Sequence, residues 1–233
     1  MTMNTLKISK RLEAAASFVR RGVRIADIGS DHAYLPIYLY SSGLISGGVA
    51  SDINEGPVKR GEANVRLCRV ENAIEVRRAD GLSGIEKYDP DDIFIFGMGG
   101  ELIVSIVDGA KWLRDARYRL ILQPMTHPEI LRRYLFDNGF SIICEKLIKD
   151  DKIYQIICAE YSGKSEEADE LELLFGKHIL AQGGELLREA LLRSKDIYSE
   201  RIMGKRIASA DASAEELMIE KIDKKISLMN GGE

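Results

Sequence analysis

Long apolar runs are missing from this sequence. None approaches the roughly 18 consecutive apolar residues of a membrane-spanning helix, so a helical membrane span is excluded and no membrane partner is expected. The opening stretch, Met-Thr-Met-Asn-Thr-Leu-Lys, also lacks a signal peptide's apolar core, and a cytoplasmic location is expected. Cysteine is scarce: Cys68, Cys144 and Cys158 are odd in number and far apart. Such a set supplies neither a disulfide framework nor a C-x-x-C metal site. Cys144 and Cys158 fall in apolar, strand-like runs that suit buried thiols. His127 and His178 have no acidic partners at ligand spacing, so no metal is expected. An excess of positive charge is absent too, with 33 Lys/Arg against 37 Asp/Glu. Bulk charge therefore does not advertise nucleic-acid binding, and any grip on phosphates has to come from local patches.

The charges that are present are unevenly placed. Residues 161–233 carry 11 Lys/Arg and 15 Asp/Glu, which leaves 22 of each in residues 1–160. The acidity belongs to the tail segment, whereas the first part is neutral with clumped bases. Lys7, Lys10, Arg11, Arg20, Arg21 and Arg24 face one acid, Glu13, before the first strand-like run. Most such clumps are solvated faces, but their number permits a basic patch that contacts phosphates.

Hydrophobic residues make up 45% of the 233, which contradicts disorder and allows a real core. The length suits one α/β domain of about 150–160 residues plus a smaller appendage. Apolar runs predict strands over residues 23–28, 48–51, 74–78, 93–96 and 119–122. Helical spacing predicts a first helix over 9–21 and others near 35–42, 57–68, 101–110 and 128–138. This alternation predicts a parallel, doubly wound sheet. Residues 140–147 and 153–161 are then two strand runs with no room for a helix between them, hence an antiparallel hairpin. Five parallel strands closed by a hairpin is the Rossmann-like pattern of class I methyltransferases. A dinucleotide-binding domain would end on another parallel strand.

Ser162-Gly-Lys-Ser-Glu-Glu reads as a linker, placing domains at 1–161 and 162–233. The second is helical. Gly183-Gly184 parts a first helix from a long one over 185–209, and Asp211 or Ser213 offers an N-cap for a last helix. Ile219, Ile222, Ile226 and Met229 form a short stripe matched by Leu187, Leu191, Tyr198 and Ile202 on the long helix. The expectation is an antiparallel coiled-coil arm.

The chemistry concentrates in Arg24-Ile-Ala-Asp-Ile-Gly-Ser-Asp-His-Ala-Tyr-Leu-Pro36. It reads as a buried strand running into a tight turn and a helix. Gly29 lets the backbone turn sharply and approach a ligand. Asp27 and Asp31, with Ser30 between, put acids at the strand's carboxyl end, where open α/β sheets bind ligands. Acids there suit hydroxyls and positive charge better than a pyrophosphate. S-adenosylmethionine has a ribose diol, an amino group and a sulfonium. Asp52 ends the second strand, 25 residues after Asp27 and just before Ile53. It could accept both ribose hydroxyls or form an Asx turn. NAD uses the same device, but Gly29-Ser-Asp-His-Ala lacks the second and third glycines of GxGxxG.

Asp80-Gly81 follows the third strand, either receiving an adenine's exocyclic amine or making an ordinary turn. Gly97-Met98-Gly99-Gly100 follows the fourth, beside cofactor and substrate or as a plain helix-start loop. Gln123 follows the fifth and could present its amide to a base edge or sit in a turn. His32 is a candidate general base or a hydrogen-bonded structural group. Tyr34 stacks on a flat substrate or packs in the core.

Together, Ile8-Ser-Lys-Arg-Leu12, Ala26-Asp-Ile-Gly-Ser-Asp-His-Ala-Tyr-Leu-Pro36, Gly97-Met-Gly-Gly100, Leu122-Gln-Pro124 and Tyr134-Leu…Asn138-Gly-Phe140 resemble the bacterial tRNA (adenine-22-N1)-methyltransferases. The resemblance covers about residues 6–160, with one departure: Met125 stands where many members have Asn. It implies S-adenosylmethionine as cofactor, tRNA as partner and N1 of a D-arm adenine as the methylated atom. Adenine N1 has a free lone pair at neutral pH, so positioning outweighs base catalysis, and exposing N1 calls for unpairing or flipping. The resemblance places cofactor contacts at Asp27, Gly29, Ser30, Asp31, Asp52, Ile53, Asp80, Gly81, Gly97, Met98 and Gly99, and chemistry at His32, Tyr34 and Gln123. It leaves the chain a monomer or weak homodimer. A methyltransferase for a small metabolite or another RNA site would keep the cofactor residues and change only the pocket. A non-enzymatic adaptor would not need Asp27, Asp52 and Asp80 together.

Overall fold

Side-chain alternation along the strands decides the architecture. In β1 (Arg24–Ile28), Ile25 points to one face, and Ala26 and Ile28 to the other. β2 (Gly47–Asp52), β4 (Asp92–Met98) and β5 (Arg119–Pro124) repeat the pattern with Ala50, Phe94 and Ile121 on the first face and Val49, Ile95 and Leu122 on the second. Strands covered on both faces read as continuous apolar runs, as parallel sheets require. With β3 (Ile74–Arg78) these strands pair in parallel in the order β3-β2-β1-β4-β5.

Over the first face lie α1 (Lys10–Ala16), α2 (Tyr34–Ser41) and α3 (Glu55–Leu67), burying Ala15, Leu35, Leu39 and Val65. Over the second lie α4 (Gly100–Gly109) and α5 (Pro128–Asp137), burying Ile103, Val107, Leu131 and Leu135. The chain closes the sheet with β6 (Phe140–Lys149) and β7 (Ile153–Tyr161). β7 runs antiparallel beside β5 and leaves β6 at the edge. This is the doubly wound Rossmann-like α/β sheet with a terminal hairpin expected from the sequence.

The computed structural model describes residues 8–230, and Lys7 of the basic clump lies outside them. Two units divide between Glu167 and Ala168. Within the first, α1 ends at Ala16, short of the expected residue 21. The Ser17 hydroxyl donates to Ala14 O at 2.6 Å. Arg20 then leaves the helix path because its backbone N–H and guanidinium reach the buried Asp92 carboxylate at 2.8 and 2.7 Å. Of the expected buried thiols, Cys158 is buried but Cys144, opposite it on the edge strand, is only half-buried. Its contact with Cys144, together with burial, pushes the Cys158 thiol well up.

The second unit is helical throughout. The expected single helix before Gly183 is two, α6 (Glu170–Phe175) and α7 (Lys177–Gln182), because Gly176 adopts φ +88° between them. A reciprocal cap starts α6: Asp169 accepts from the Leu171 and Glu172 amides, and Glu172 reaches back to the Asp169 N–H. α8 (Glu185–Ile207) and α9 (Ser213–Asn230) are antiparallel, tied by Lys195–Asp223, Lys205–Glu215 and Arg206–Glu216 at 2.5, 2.7 and 2.7 Å. Met218 joins Ile222 as the buried face of α9, whereas Ile219, Ile226 and Met229 are half-buried. Among the described residues no helix is long and apolar enough to cross a membrane, and no cluster of His, Cys, Asp or Glu could hold a metal ion.

Candidate cofactor and acceptor site

The carboxyl ends of β1 and β4 form the crevice where the sheet's strand order reverses, the usual ligand position in doubly wound folds. Alternation places Asp27 on the same face as Ile25, and Asp52 on the same face as Ala50. Two acids thereby follow adjacent strands. Asp27 is buried, and desolvation pushes its carboxyl up to about 6 despite a hydrogen bond with Ser30. Asp52 is half-buried and makes an Asx turn, with Oδ1 accepting the Asn54 N–H at 2.7 Å. Ile53 beside it is 51% exposed, an apolar surface unexplained by core packing.

Gly29 adopts φ +75°, and it and Ser30 both donate backbone N–H bonds to Ser51 O, at 2.8 and 2.9 Å. This knots the β1 turn to the end of β2. A Cβ on Gly29 would collide with the Met98 Cε, so the Met98 side chain lies across the β1–β4 crevice. Gly97 has φ +77°, and nothing lies within 4 Å of where its Cβ would stand. Gly99 and Gly100 behave differently. They pack against the chain following β5, Gly99 beside Thr126 Oγ1 and Gly100 with its N–H on Thr126 O at 2.8 Å. Of the three glycines, Gly97 alone borders open space.

Asp80 is exposed and Gly81 has φ +53°, where a Cβ would press on the Ile106 side chain of α4. Both line a cleft of about 590 Å³ whose far wall includes Leu102, Ser105 and Ile106. That cleft pairs the polar Asp80, Ser83, Glu86 and Lys87 with the apolar Leu102, Ile106 and Trp112.

The sequence had no signal for the conformation of Ala33. It is buried with φ +54°, a costly value for a non-glycine residue. This left-handed step turns the chain back so that His32 and Tyr34 stack, centroids 4.8 Å apart and planes within 9°. Both rings remain partly open to solvent, His32 with its carbonyl held by Asn64 Nδ2 at 3.0 Å. Asp31 is exposed, its carboxylate bound by Arg60 with Nε at 3.0 Å and 3.3 Å from His32 Nε2. Gln123 departs from its expected role. It is fully buried, its Oε1 accepts from Arg11 at 2.9 Å and its Nε2 donates to Pro124 O at 2.9 Å. No part of that amide is presented to a base.

The clumped bases before β1 are largely spent inside the protein. The guanidinium of Arg11 goes to Gln123, that of Arg20 to Asp92, and that of Arg24 to Tyr88 O, while the Arg24 backbone N–H donates to Asp91. Lys10 and Arg21 stay exposed. Burying an unsatisfied carboxylate or amide costs more than leaving a surface arginine free, which explains where those cations went.

The sequence matches the TrmK family, tRNA (adenine(22)-N(1))-methyltransferase, over residues 25–230. A Bacillus subtilis protein named tRNA (adenine(22)-N(1))-methyltransferase is 38% identical over 175 residues, 75% of this chain and 74% of its own. Among solved structures, Streptococcus pneumoniae Sp1610 in complex with S-adenosyl-L-methionine superposes with a TM-score of 0.84 at 32% identity, covering 94% of this chain and 100% of that one. M. capricolum TrmK in complex with S-adenosyl-homocysteine gives 0.80 at 26% identity, covering 95% and 99%.

Proposed function

Because this chain belongs to the TrmK family of tRNA (adenine(22)-N(1))-methyltransferases, we propose the following assignment of its residues to the methylation of adenine 22 in tRNA. S-adenosylmethionine supplies a methyl group on a sulfonium, which a neutral adenine N1 accepts without first losing a proton. The observation that carries the assignment is the line of three acids and a glycine at the carboxyl ends of consecutive strands: Asp27, Asp52, Asp80 and Gly97. Asp52 receives the ribose hydroxyls through the oxygen its Asx turn leaves open. Ile53, Gly81, Leu102 and Ile106 sandwich the adenine, and Asp80 meets its amine. Asp27 balances positive charge at the β1 turn, while Gly29, Ser30, Gly97 and Met98 shape the walls. The His32–Tyr34 stack offers a flat ring pair to the incoming base.

The test of the reaction is nucleoside mass spectrometry of tRNA treated with protein and cofactor. The expected product is 1-methyladenosine at position 22, read as a reverse-transcription stop. N6-methyladenosine or a methylated guanine there would overturn the assignment.

Asp52→Ala weakens S-adenosylhomocysteine binding by roughly 1–3 kcal/mol, the scale of losing charge-assisted hydrogen bonds. Calorimetry reads this directly, and an unchanged affinity removes Asp52 from the site.

The buried Asp27 makes cofactor binding depend on pH. Its carboxyl is neutral below about 6 in the cofactor-free protein. A cationic ligand needs the ionised form, so affinity falls as pH drops through 6 toward 5, and Asp27→Asn flattens the profile. Folding of the free protein responds in the opposite sense. The native carboxyl is raised from 3.8, so ionisation opposes folding, and stability grows by up to about 3 kcal/mol as pH falls from above 6 to below 4. A titration of affinity that is flat from pH 5 to 8 would separate Asp27 from the cofactor.

The catalytic domain is assigned to residues 1–161 and the helical arm to 162–233, in a monomer or weak homodimer of the cytoplasm. Free cysteines fit a reducing compartment. Glu166 accepts from the Ser141 hydroxyl at 2.7 Å, so a truncation is best placed after Glu167. The truncated protein binds S-adenosylhomocysteine normally and loses tRNA turnover at least ~10-fold if the arm contacts the tRNA body. Full turnover would assign the arm another purpose.

A further inference from the structure

Arg11 lies in α1, ahead of residue 25 where the family match begins. One guanidinium joins three elements there. Its centre is 5.0 Å over the Tyr154 ring of β7. Nη1 donates to Gln123 Oε1 of β5 at 2.9 Å and touches Met125 Sδ at 3.8 Å. Tyr154 is itself oriented by its O–H bond to Asp151 at 2.7 Å. Alternation explains the meeting: Gln123 is two residues past Ile121 and so faces the side of the sheet that α1 covers.

The place matters as much as the contacts. Gln123 is in register with Phe96 and Pro124 with Met98, at the carboxyl ends of β4 and β5. Asp27, Asp52 and Asp80 claim the β1–β3 side, which leaves the β4–β5 side for the methyl acceptor. The turn after Gln123 is bonded onward: Met125 N–H donates to Met98 O at 2.8 Å, and Gly100 N–H donates to Thr126 O at 2.8 Å. Met98 in turn lies on Gly29. A continuous path therefore runs from Arg11 through Gln123 and Met125 to the residue that walls the cofactor crevice.

We propose that Arg11 is a positioning residue: it locks Gln123 and the Pro124-Met125 turn so that the acceptor base meets a fixed wall beside Met98. This rests on the reaction assigned above. A planar guanidinium can stack on Tyr154 and donate in-plane to Gln123 at once, whereas a lysine ammonium offers a point charge and cannot do both. The cation is thus directed inward, and tRNA phosphates are not its partners.

Three readouts test this. In Arg11→Met, hydrogen exchange at the Met125 and Gly100 amides should quicken at least ~10-fold while β1–β3 stay protected. This measurement needs no turnover, so it stands even if the assigned reaction fails. With tRNA substrate, Arg11→Met should lower kcat by roughly 10- to 100-fold with KM for tRNA within about 3-fold and S-adenosylhomocysteine affinity unchanged. Arg11→Lys should restore less than half of the lost rate, and Arg11→Met added to Gln123→Met should cost little beyond Gln123→Met alone. Unchanged exchange at Met125, a raised KM with intact kcat, or full rescue by lysine would each overturn the proposal. The raised KM would make Arg11 a phosphate contact.

Discussion

Replacing Arg132 by alanine lowers folding stability by about 3–5 kcal/mol, the cost of stripping one partner from a buried ion pair. Arg132 on α5 and Glu145 on β6 have side chains 0% and 1% exposed, with Nε 2.7 Å from Oε1. A second nitrogen, Nη2, donates to Gln155 Oε1 of β7 at 2.6 Å. The guanidinium thus staples α5 to both strands of the hairpin. Burial drags the Arg132 group below the usual arginine range, opposed by its attraction to Glu145. Alanine would strip the Glu145 carboxylate of its Nε hydrogen bond and of the adjacent positive charge in a dry site. Thermal unfolding should shift down by on the order of 10 °C. The pair is not itself a large source of stability, because apolar residues of similar volume replace such pairs at little cost. Arg132→Met with Glu145→Leu should therefore recover most of the loss. A single-mutant loss below about 1 kcal/mol would mean that water reaches Glu145.

Gly29→Val abolishes measurable cofactor binding while the protein stays folded. Valine at φ +75° is a conformational outlier, costing roughly 1–2 kcal/mol for handedness alone. Its branches would also strike Met98, the side chain lying across the β1–β4 crevice. Met98 is flexible and can swing away, so the fold survives. The turn cannot keep its shape, because the Gly29 and Ser30 amides are both bound to Ser51 O. Affinity for S-adenosylhomocysteine should fall at least ~100-fold, about 2.7 kcal/mol. His32→Ala gives the contrast. It should lower kcat by about 10- to 100-fold and leave cofactor affinity intact, at or below the low end of general-base effects. A neutral N1 needs no base, so the expected loss is the loss of the ring stacked on Tyr34. Calorimetry on the two variants separates these roles. Tight cofactor binding by Gly29→Val, or a kcat loss beyond 10⁴-fold in His32→Ala, would reverse them.

By itself the sequence determined whatever depends on neighbours along the chain. Short continuous apolar runs split by helical spacing require a parallel sheet, and the runs at 140–147 and 153–161 leave no room for a helix, so the sheet closes with a hairpin. Acids and glycines at or just past a strand's end must lie at the sheet's carboxyl edge, which made Asp27, Asp52, Asp80 and Gly97 readable as one candidate site. The tertiary structure alone decided how side chains far apart in sequence spend their charge. Gln123 looks free to meet a base until Arg11, 112 residues away, is seen to hold it. Asp31 gives no hint in the sequence of the ion pair it makes with Arg60, 29 residues away. Ala33 gives no hint of the left-handed step that stacks His32 on Tyr34. Local pattern reports which face a residue takes. Only packing reports which buried polar atom demands a partner, because that demand arises when water is removed.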